Sequence, residues 1–177
     1  FQVGTLKTVG LAPRPHGKGR EVVELFGELA KLLFQNGFLP VLLEMDRTED
    51  GNPIVEIDKA MNGKVPSVRK ITTPMVFQQR VSRMDSVIAM RLHAGILAST
   101  VGVLPYMISY DPKVTAFAQM MELPAAPPVD GLTPQRVFEN FAQFQRNKAT
   151  SANSFERACV QQREAAASNI PLLLENL

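Results

Sequence analysis

The stretch SVIAMRLHAGILASTVGVLPYMISYDPKV, residues 86–114, contains two apolar runs separated by one helix length of mostly small residues. Ser86 to Met90 reads as a strand, Leu92 to about Val101 as a helix leading through Gly102, and Leu104 to Ser109 as the next strand. Asp111 followed by Pro112 supplies a cap and a first helical turn, opening a helix to about Met121. Strand, helix, strand, helix is the pattern of βα units, which requires a mainly parallel sheet.

The same alternation extends toward the start of the chain. Thr8 to Pro13 reads as a buried strand, Pro15 to Gly19 as a loop, and Arg20 to Asn36 as an amphipathic helix closed by Gly37. Leu39 to Met45 is a second strand, running into the turn-rich DRTEDGNP and a helix from about Ile54 to Asn62. Val68 to Ile71 is a short third strand, after which Thr73-Pro74 caps and starts another helix. Residues 122–134, ELPAAPPVDGLTP, form a Pro-rich connector. Helices follow at about Pro134 to Asn147 and Ala152 to Ala167. No strand comes after them, so they are expected to pack outside the sheet or to reach elsewhere.

The 177 residues suffice for one domain with a sizeable core. Apolar residues at 45% and charged ones at 20% argue for a folded chain. A net charge of +2 is too small to suggest nucleic-acid binding, so any cationic patch must be local. Cys159 is the single cysteine and cannot form an internal disulfide, which fits a reducing, cytoplasmic setting. No apolar run approaches the roughly 18 residues of a membrane span, and no signal-peptide pattern opens the chain. The first strand arrives within about ten residues and there is no initiator Met, so the sequence is expected to be part of a longer protein.

In an open parallel sheet, ligands bind beyond the carboxyl ends of the strands, where loops gather and helix N-termini point outward. Arg14, His16 and Lys18 follow the first strand, and Asp46, Arg47 and Asp50 the second. Arg91 and His93 follow the fourth, and Tyr110, Asp111 and Lys113 the fifth. His93 is either a structural histidine or a group for acid/base work or anion binding, since imidazole titrates near neutrality. Arg91, at the rim of a core strand, needs an anionic partner: Asp85, Asp111 or a ligand held bidentately. Lys113 reads as a solvated helix residue or a ligand cation, and Asp111 foremost as a cap.

Residues 14–19, RPHGKG, could cradle an anion, but the loop lacks the ending of a P-loop and is no GxGxxG fingerprint. There is no Cys/His set for zinc, no GxSxG elbow and no basic, aromatic face for single-stranded nucleic acid. Glu156 and Glu164 have the spacing of a glycosyltransferase E-x7-E pair, but they lie on the terminal helix, away from the sheet edge.

MRLHAGILAS followed by ISYDPKV closely resembles the paired signature of polysaccharide pyruvyltransferases, most like the bacterial CsaB type. VGLAPRP resembles the start of that family's second half, and the Asp-containing loop after LPVLLEM also fits. The similarity runs from about Thr8 to Met121. Pro15 departs from the aromatic or polar residue usual after the arginine, and Ala89-Met90 stands where glycine is more usual.

The resemblance implies a Rossmann-like α/β sheet with flanking helices, like the C-terminal domain of a two-domain GT-B enzyme. Residues 1–124 would form the donor-binding core and 125–177 its connector and helices, with an N-terminal half lying outside this chain. The implied reaction moves the pyruvyl group of phosphoenolpyruvate to two hydroxyls of a cell-surface glycan sugar, forming a cyclic ketal and releasing phosphate.

His93 would serve as the acid/base group, with Arg91, Lys113 and Arg14 holding phosphoenolpyruvate and Asp111 and Tyr110 in support. No metal or organic cofactor is implied. The implied partners are the donor, a saccharide acceptor that can be lipid-linked, and the N-terminal half. The implied location is the cytoplasm or the inner face of the cell membrane, with an isolated half expected to be inactive. The competing expectations are the donor half of a sugar-nucleotide glycosyltransferase and a non-catalytic anion-binding domain.

Overall fold

A computed structural model describes residues 6–17, 20–45, 51–69, 71 and 73–174. Lys18, Asp46, Arg47 and Asp50 lie outside the described residues. Five parallel strands form one sheet in the order β3-β2-β1-β4-β5: β1 Lys7–Ala12, β2 Phe38–Leu43, β3 Ser67–Val68, β4 Ser86–Ala89 and β5 Pro105–Met107. The helices are α1 Arg20–Gln35, α2 Gly51–Ala60, α3 Pro74–Val81, α4 Leu92–Thr100, α5 Pro112–Met120, α6 Pro134–Arg146 and α7 Lys148–Leu174. This is the parallel α/β sheet expected from the alternation of apolar runs, in the Rossmann-like arrangement that the family resemblance implies. Its strand order reverses between β1 and β4, the crevice where such sheets take ligands.

The sheet forms because its middle strands have no polar face. Val9, Leu11, Ala12, Val87, Ile88 and Ala89 are fully buried, as parallel strands covered on both sides must be. Helix α1 buries Val22, Leu25, Phe26, Leu29, Ala30 and Leu33, a stripe at helical spacing. Each such aliphatic or aromatic side chain contributes about 1.5–3 kcal/mol when fully buried. The helix stops at Gly37, whose φ of 82° suits glycine in the left-handed region.

Gly10, in β1, answers a different need. A Cβ there would stand 2.7 Å from Leu43 Cδ1 and 2.8 Å from Met84 Sδ. Gly10→Ala is therefore expected to destabilise the fold by about 1–3 kcal/mol through overpacking, read as a lower denaturation midpoint at unchanged slope.

The strand ends differ from expectation by a residue or two, most at the sheet edges. β3 covers Ser67–Val68 instead of Val68 to Ile71, of which Lys70 lies outside the described residues; among the described residues it pairs with β2 alone, and that pairing ends with Leu43 and Val68. Beyond β5, Ser109 N donates to Pro127 O and Val129 N to Ser109 O, so the Pro-rich connector lies along this edge as an isolated bridge.

The last two helices dock on the same sheet. Phe141 of α6 is fully buried, edge-on to Phe38 at 5.6 Å and to Tyr106 at 6.0 Å. Tyr106 is pushed above its usual phenol range, first by burial, with the Asn140 hydrogen bond acting against it. Helix α7 begins at Lys148, four residues before the expected start, separated from α6 only by Asn147. Lys148 Nζ donates to Asp85 O, and burial lowers its pKa. Farther along, Phe155 and Ala158 are buried, and Cys159 Sγ lies 3.9 Å from Ser99 O on α4. Burial raises the Cys159 thiol pKa, which reduces its thiolate fraction. No helix among the described residues is long and apolar enough to cross a membrane.

Candidate functional site

Strand register brings the site residues to one edge. Ala12 pairs with Ala89, and Ala89 with Met107, so Arg14 and Arg91 each stand two residues beyond the same row of the sheet. Backbone bonds carry this alignment past the strands: Met90 N donates to Ala12 O and Ile108 N to Ala89 O. Arg14, Arg91 and Tyr110 thus leave adjacent strand ends, on both sides of the point where the strand order reverses.

Two groupings result. In the first, Arg14 Nη1 donates to Tyr110 Oη at 2.7 Å, and its guanidinium carbon lies 4.8 Å from the Tyr110 ring centre. Lys113 Nζ is 5.9 Å from the same ring and 3.6 Å from Asp111 Oδ2. Asp111 Oδ1 accepts from Lys113 N at 2.9 Å, so this carboxylate caps α5 and also sits beside the lysine ammonium. The aromatic ring of Tyr110 is the common platform for both cations.

The second grouping surrounds a pocket of about 360 Å³, lined by Arg91 and His93 together with Met45, Ile71, Phe77 and Leu97. Arg91 is 9% exposed and His93 is exposed. Arg91 occupies the N-cap position of α4 with φ −67° and ψ 116°, without a side-chain cap. Helices α3, α5 and α6 instead begin with Thr73, Asp111 and Thr133 side chains accepting first-turn N–H groups. The first turn of α4 thus presents uncapped backbone donors next to an arginine, which is favourable for an anion. Among the described residues, no hydrogen bond or ion pair holds the His93 side chain.

Every proposed site residue within the described chain falls at this edge, yet no single pocket holds them all. Arg91 and His93 line one concavity, while Arg14, Tyr110, Asp111 and Lys113 cluster beside it. Asp85 is at the other end of β4, where its Oδ2 accepts from Thr8 N at 2.8 Å.

Two polar groups had no signal in the sequence. Asp130 in the connector places Oδ1 3.2 Å from His16 Nε2, and only the alignment of residues 127–129 beside Ser109 brings it there. Glu44 is 4% exposed and accepts from Arg69 Nε at 3.2 Å, joining the ends of β2 and β3.

Comparison with known proteins agrees with this architecture. Among solved structures, the chain is similar to a GT-B-type enzyme, the UDP-GlcNAc 2-epimerase from Neisseria meningitidis, determined with UDP-GlcNAc bound. The TM-score is 0.55 at 14% identity, over 93% of this chain and 45% of that one. The likeness is one of fold, and the chain spans under half the length of that enzyme. No curated protein sequence matches. The family model for polysaccharide pyruvyl transferase matches residues 13–112, from the strand end before Arg14 to the first turn of α5. The chain therefore belongs to the polysaccharide pyruvyl transferase family, a family of transferases.

Proposed function

We propose that this chain is the donor-binding half of a transferase that moves the pyruvyl group of phosphoenolpyruvate to two hydroxyls of a cell-surface glycan sugar. The observation that carries the reading is the pocket where buried Arg91, exposed His93 and the uncapped start of α4 meet apolar walls. Phosphoenolpyruvate has two anionic groups and a small apolar methylene, and that pocket offers a partner for each. Arg91 holds one anionic group bidentately. Arg14 and Lys113, both against Tyr110, add positive charge from the adjoining strand end. Met45, Ile71 and Phe77 shelter the enol carbons from water.

The reaction balances without an outside oxidant or reductant. One acceptor hydroxyl oxygen bonds to the enol C2 while C3 gains a proton and becomes a methyl group. The second hydroxyl oxygen bonds to C2 as the bond from C2 to the phosphate oxygen breaks. Of the two hydroxyl protons, one ends on the methyl carbon and one on phosphate. His93 moves a proton in this sequence, either to the methylene carbon or to the departing phosphate. Asp111 keeps Lys113 in place and caps α5, and Tyr110 orients Arg14.

In this reading residues 1–124 form the donor core and residues 125–177 complete the same domain. A preceding half supplies part of the acceptor site, so the chain alone binds donor without turnover. The enzyme works in the cytoplasm, at the inner face of the membrane when its acceptor is lipid-linked.

Tyr110→Phe keeps the ring and deletes the hydroxyl that accepts from Arg14. The expected result is about three- to tenfold weaker phosphoenolpyruvate binding with an unchanged melting temperature, measured by calorimetry. The reading itself is tested with the polypeptide that includes the preceding half. Phosphate should appear from phosphoenolpyruvate only when saccharide is present, in step with ketal formation followed by mass spectrometry. Consumption of a UDP-sugar in place of phosphoenolpyruvate would assign the site to a glycosyltransferase.

A further inference from the structure

The Pro-rich connector meets the Tyr110 platform twice. Its backbone is pinned one residue before the tyrosine, where Ser109 N donates to Pro127 O and Val129 N to Ser109 O, both at 2.8 Å. Its Asp130 side chain then reaches the loop after β1, with Oδ1 3.2 Å from His16 Nε2. An ionised carboxylate only accepts, so Nε2 carries the hydrogen of this bond.

The His16 ring in turn stands 6.2 Å from the Tyr110 ring, centre to centre, at a tilt of 59°. Tyr110 Oη accepts from Arg14 Nη1 at 2.7 Å, and the Arg14 guanidinium carbon lies 4.8 Å from the ring centre. Asp130, His16, Tyr110 and Arg14 thus form one chain of contacts across three segments, ending at a cation assigned to the donor. His16 is half-buried and 83% of the Asp130 side chain is open to solvent, so neither fills the core. A pair so exposed adds little to the stability of the fold. Its consequence is where the His16 ring rests.

We infer that His16 and Asp130 are a positioning pair for the donor site. Asp130 holds the His16 ring beside Tyr110, and Tyr110 thereby keeps its hydroxyl in reach of Arg14. The connector is then a working part of the site as well as the link to α6. The effect on binding rests on the pyruvyl-transfer reading, whereas the ordering of Arg14 does not. Neither residue touches the donor, so a change in the pair acts on affinity and leaves proton transfer at His93 alone.

Three substitutions test this. Asp130→Ala removes an exposed acceptor without opening a cavity, Asp130→Asn keeps an acceptor oxygen at the same reach, and His16→Phe keeps a ring beside Tyr110 that cannot bond to Asp130. Calorimetry should show about two- to fivefold weaker phosphoenolpyruvate binding in Asp130→Ala and in His16→Phe, recovery to within about twofold in Asp130→Asn, and unchanged melting temperatures. In a Tyr110→Phe background, where Arg14 has lost the tyrosine acceptor, Asp130→Ala should add nothing, because the path to Arg14 is already cut. With no donor present, the Arg14 Nε–H signal of the 15N-labelled chain should lose order in Asp130→Ala, read as a lower heteronuclear NOE, and keep it in Asp130→Asn.

An Arg14 signal unmoved by Asp130→Ala would overturn the positioning pair whatever the donor does. Equal phosphoenolpyruvate affinity in Asp130→Ala and the unaltered chain, or losses that add fully to that of Tyr110→Phe, would overturn it as well. An unaltered chain that ignores phosphoenolpyruvate while its Arg14 signal still responds to Asp130→Ala would keep the pair and sink the donor reading.

Discussion

Replacing His93 by glutamine should lower turnover by about 10²–10⁴-fold, the usual contribution of a positioned acid/base group, while phosphoenolpyruvate affinity changes only a few-fold. The side chain is exposed, and no hydrogen bond or ion pair holds it among the described residues, so the fold does not depend on it. Its backbone sits in the first turn of α4, which the substitution leaves in place. Glutamine still offers hydrogen bonds of similar reach but cannot relay a proton at neutral pH. Steady-state kinetics on the two-half polypeptide, with calorimetric binding alongside, separates the two effects. Unchanged turnover in His93→Gln would remove His93 from the chemistry and favour a non-catalytic anion-binding role.

Arg91 should behave in the opposite way, with the loss falling on binding. Arg91→Lys is expected to reduce kcat/KM by about 10²–10³-fold, because a lysine keeps the charge but not the planar fork that grips a carboxylate or phosphate through two bonds. Arg91→Ala should be at least as damaging, and it should also lower the melting temperature. Arg91 is only 9% exposed, so truncation leaves a void at the sheet rim. Kinetics and thermal unfolding of both variants check this. A lysine variant with nearly normal kcat/KM would mean that Arg91 contributes only bulk charge.

Much of this architecture is written in local sequence. SVIAM and TVGLAP have no polar alternation, so they could only be covered strands, and they lie side by side at the centre of the sheet. Thr73-Pro74 and Asp111-Pro112 start α3 and α5 through the side-chain caps expected of them. Because the strands are parallel and in register, the residues after each one collect at a single edge. Arg14, Arg91 and Tyr110 were therefore placeable together before any contact was known.

What local sequence could not convey depends on pairing between distant segments. His16 and Asp130 are 114 positions apart and meet only because the connector lies beside Ser109. Glu44 lies within the expected strand Leu39 to Met45, and nothing local marks it as buried with Arg69 of the neighbouring strand end as its partner. The division of the edge into an Arg91–His93 pocket and a Tyr110 platform depends on which way each side chain leaves its loop, and no periodicity encodes that. The early start of α7 reflects docking, since Lys148 bonds the backbone at Asp85.

The measurement that bears most directly on the donor assignment is a titration of this chain with phosphoenolpyruvate, followed by amide NMR shifts, with UDP-GlcNAc as the comparison ligand. Saturable shifts at Arg14, Arg91 to His93 and Lys113 with phosphoenolpyruvate, and none of that pattern with UDP-GlcNAc, are the predicted result. Selective saturation of the same edge by UDP-GlcNAc would contradict the account and make this a sugar-nucleotide site.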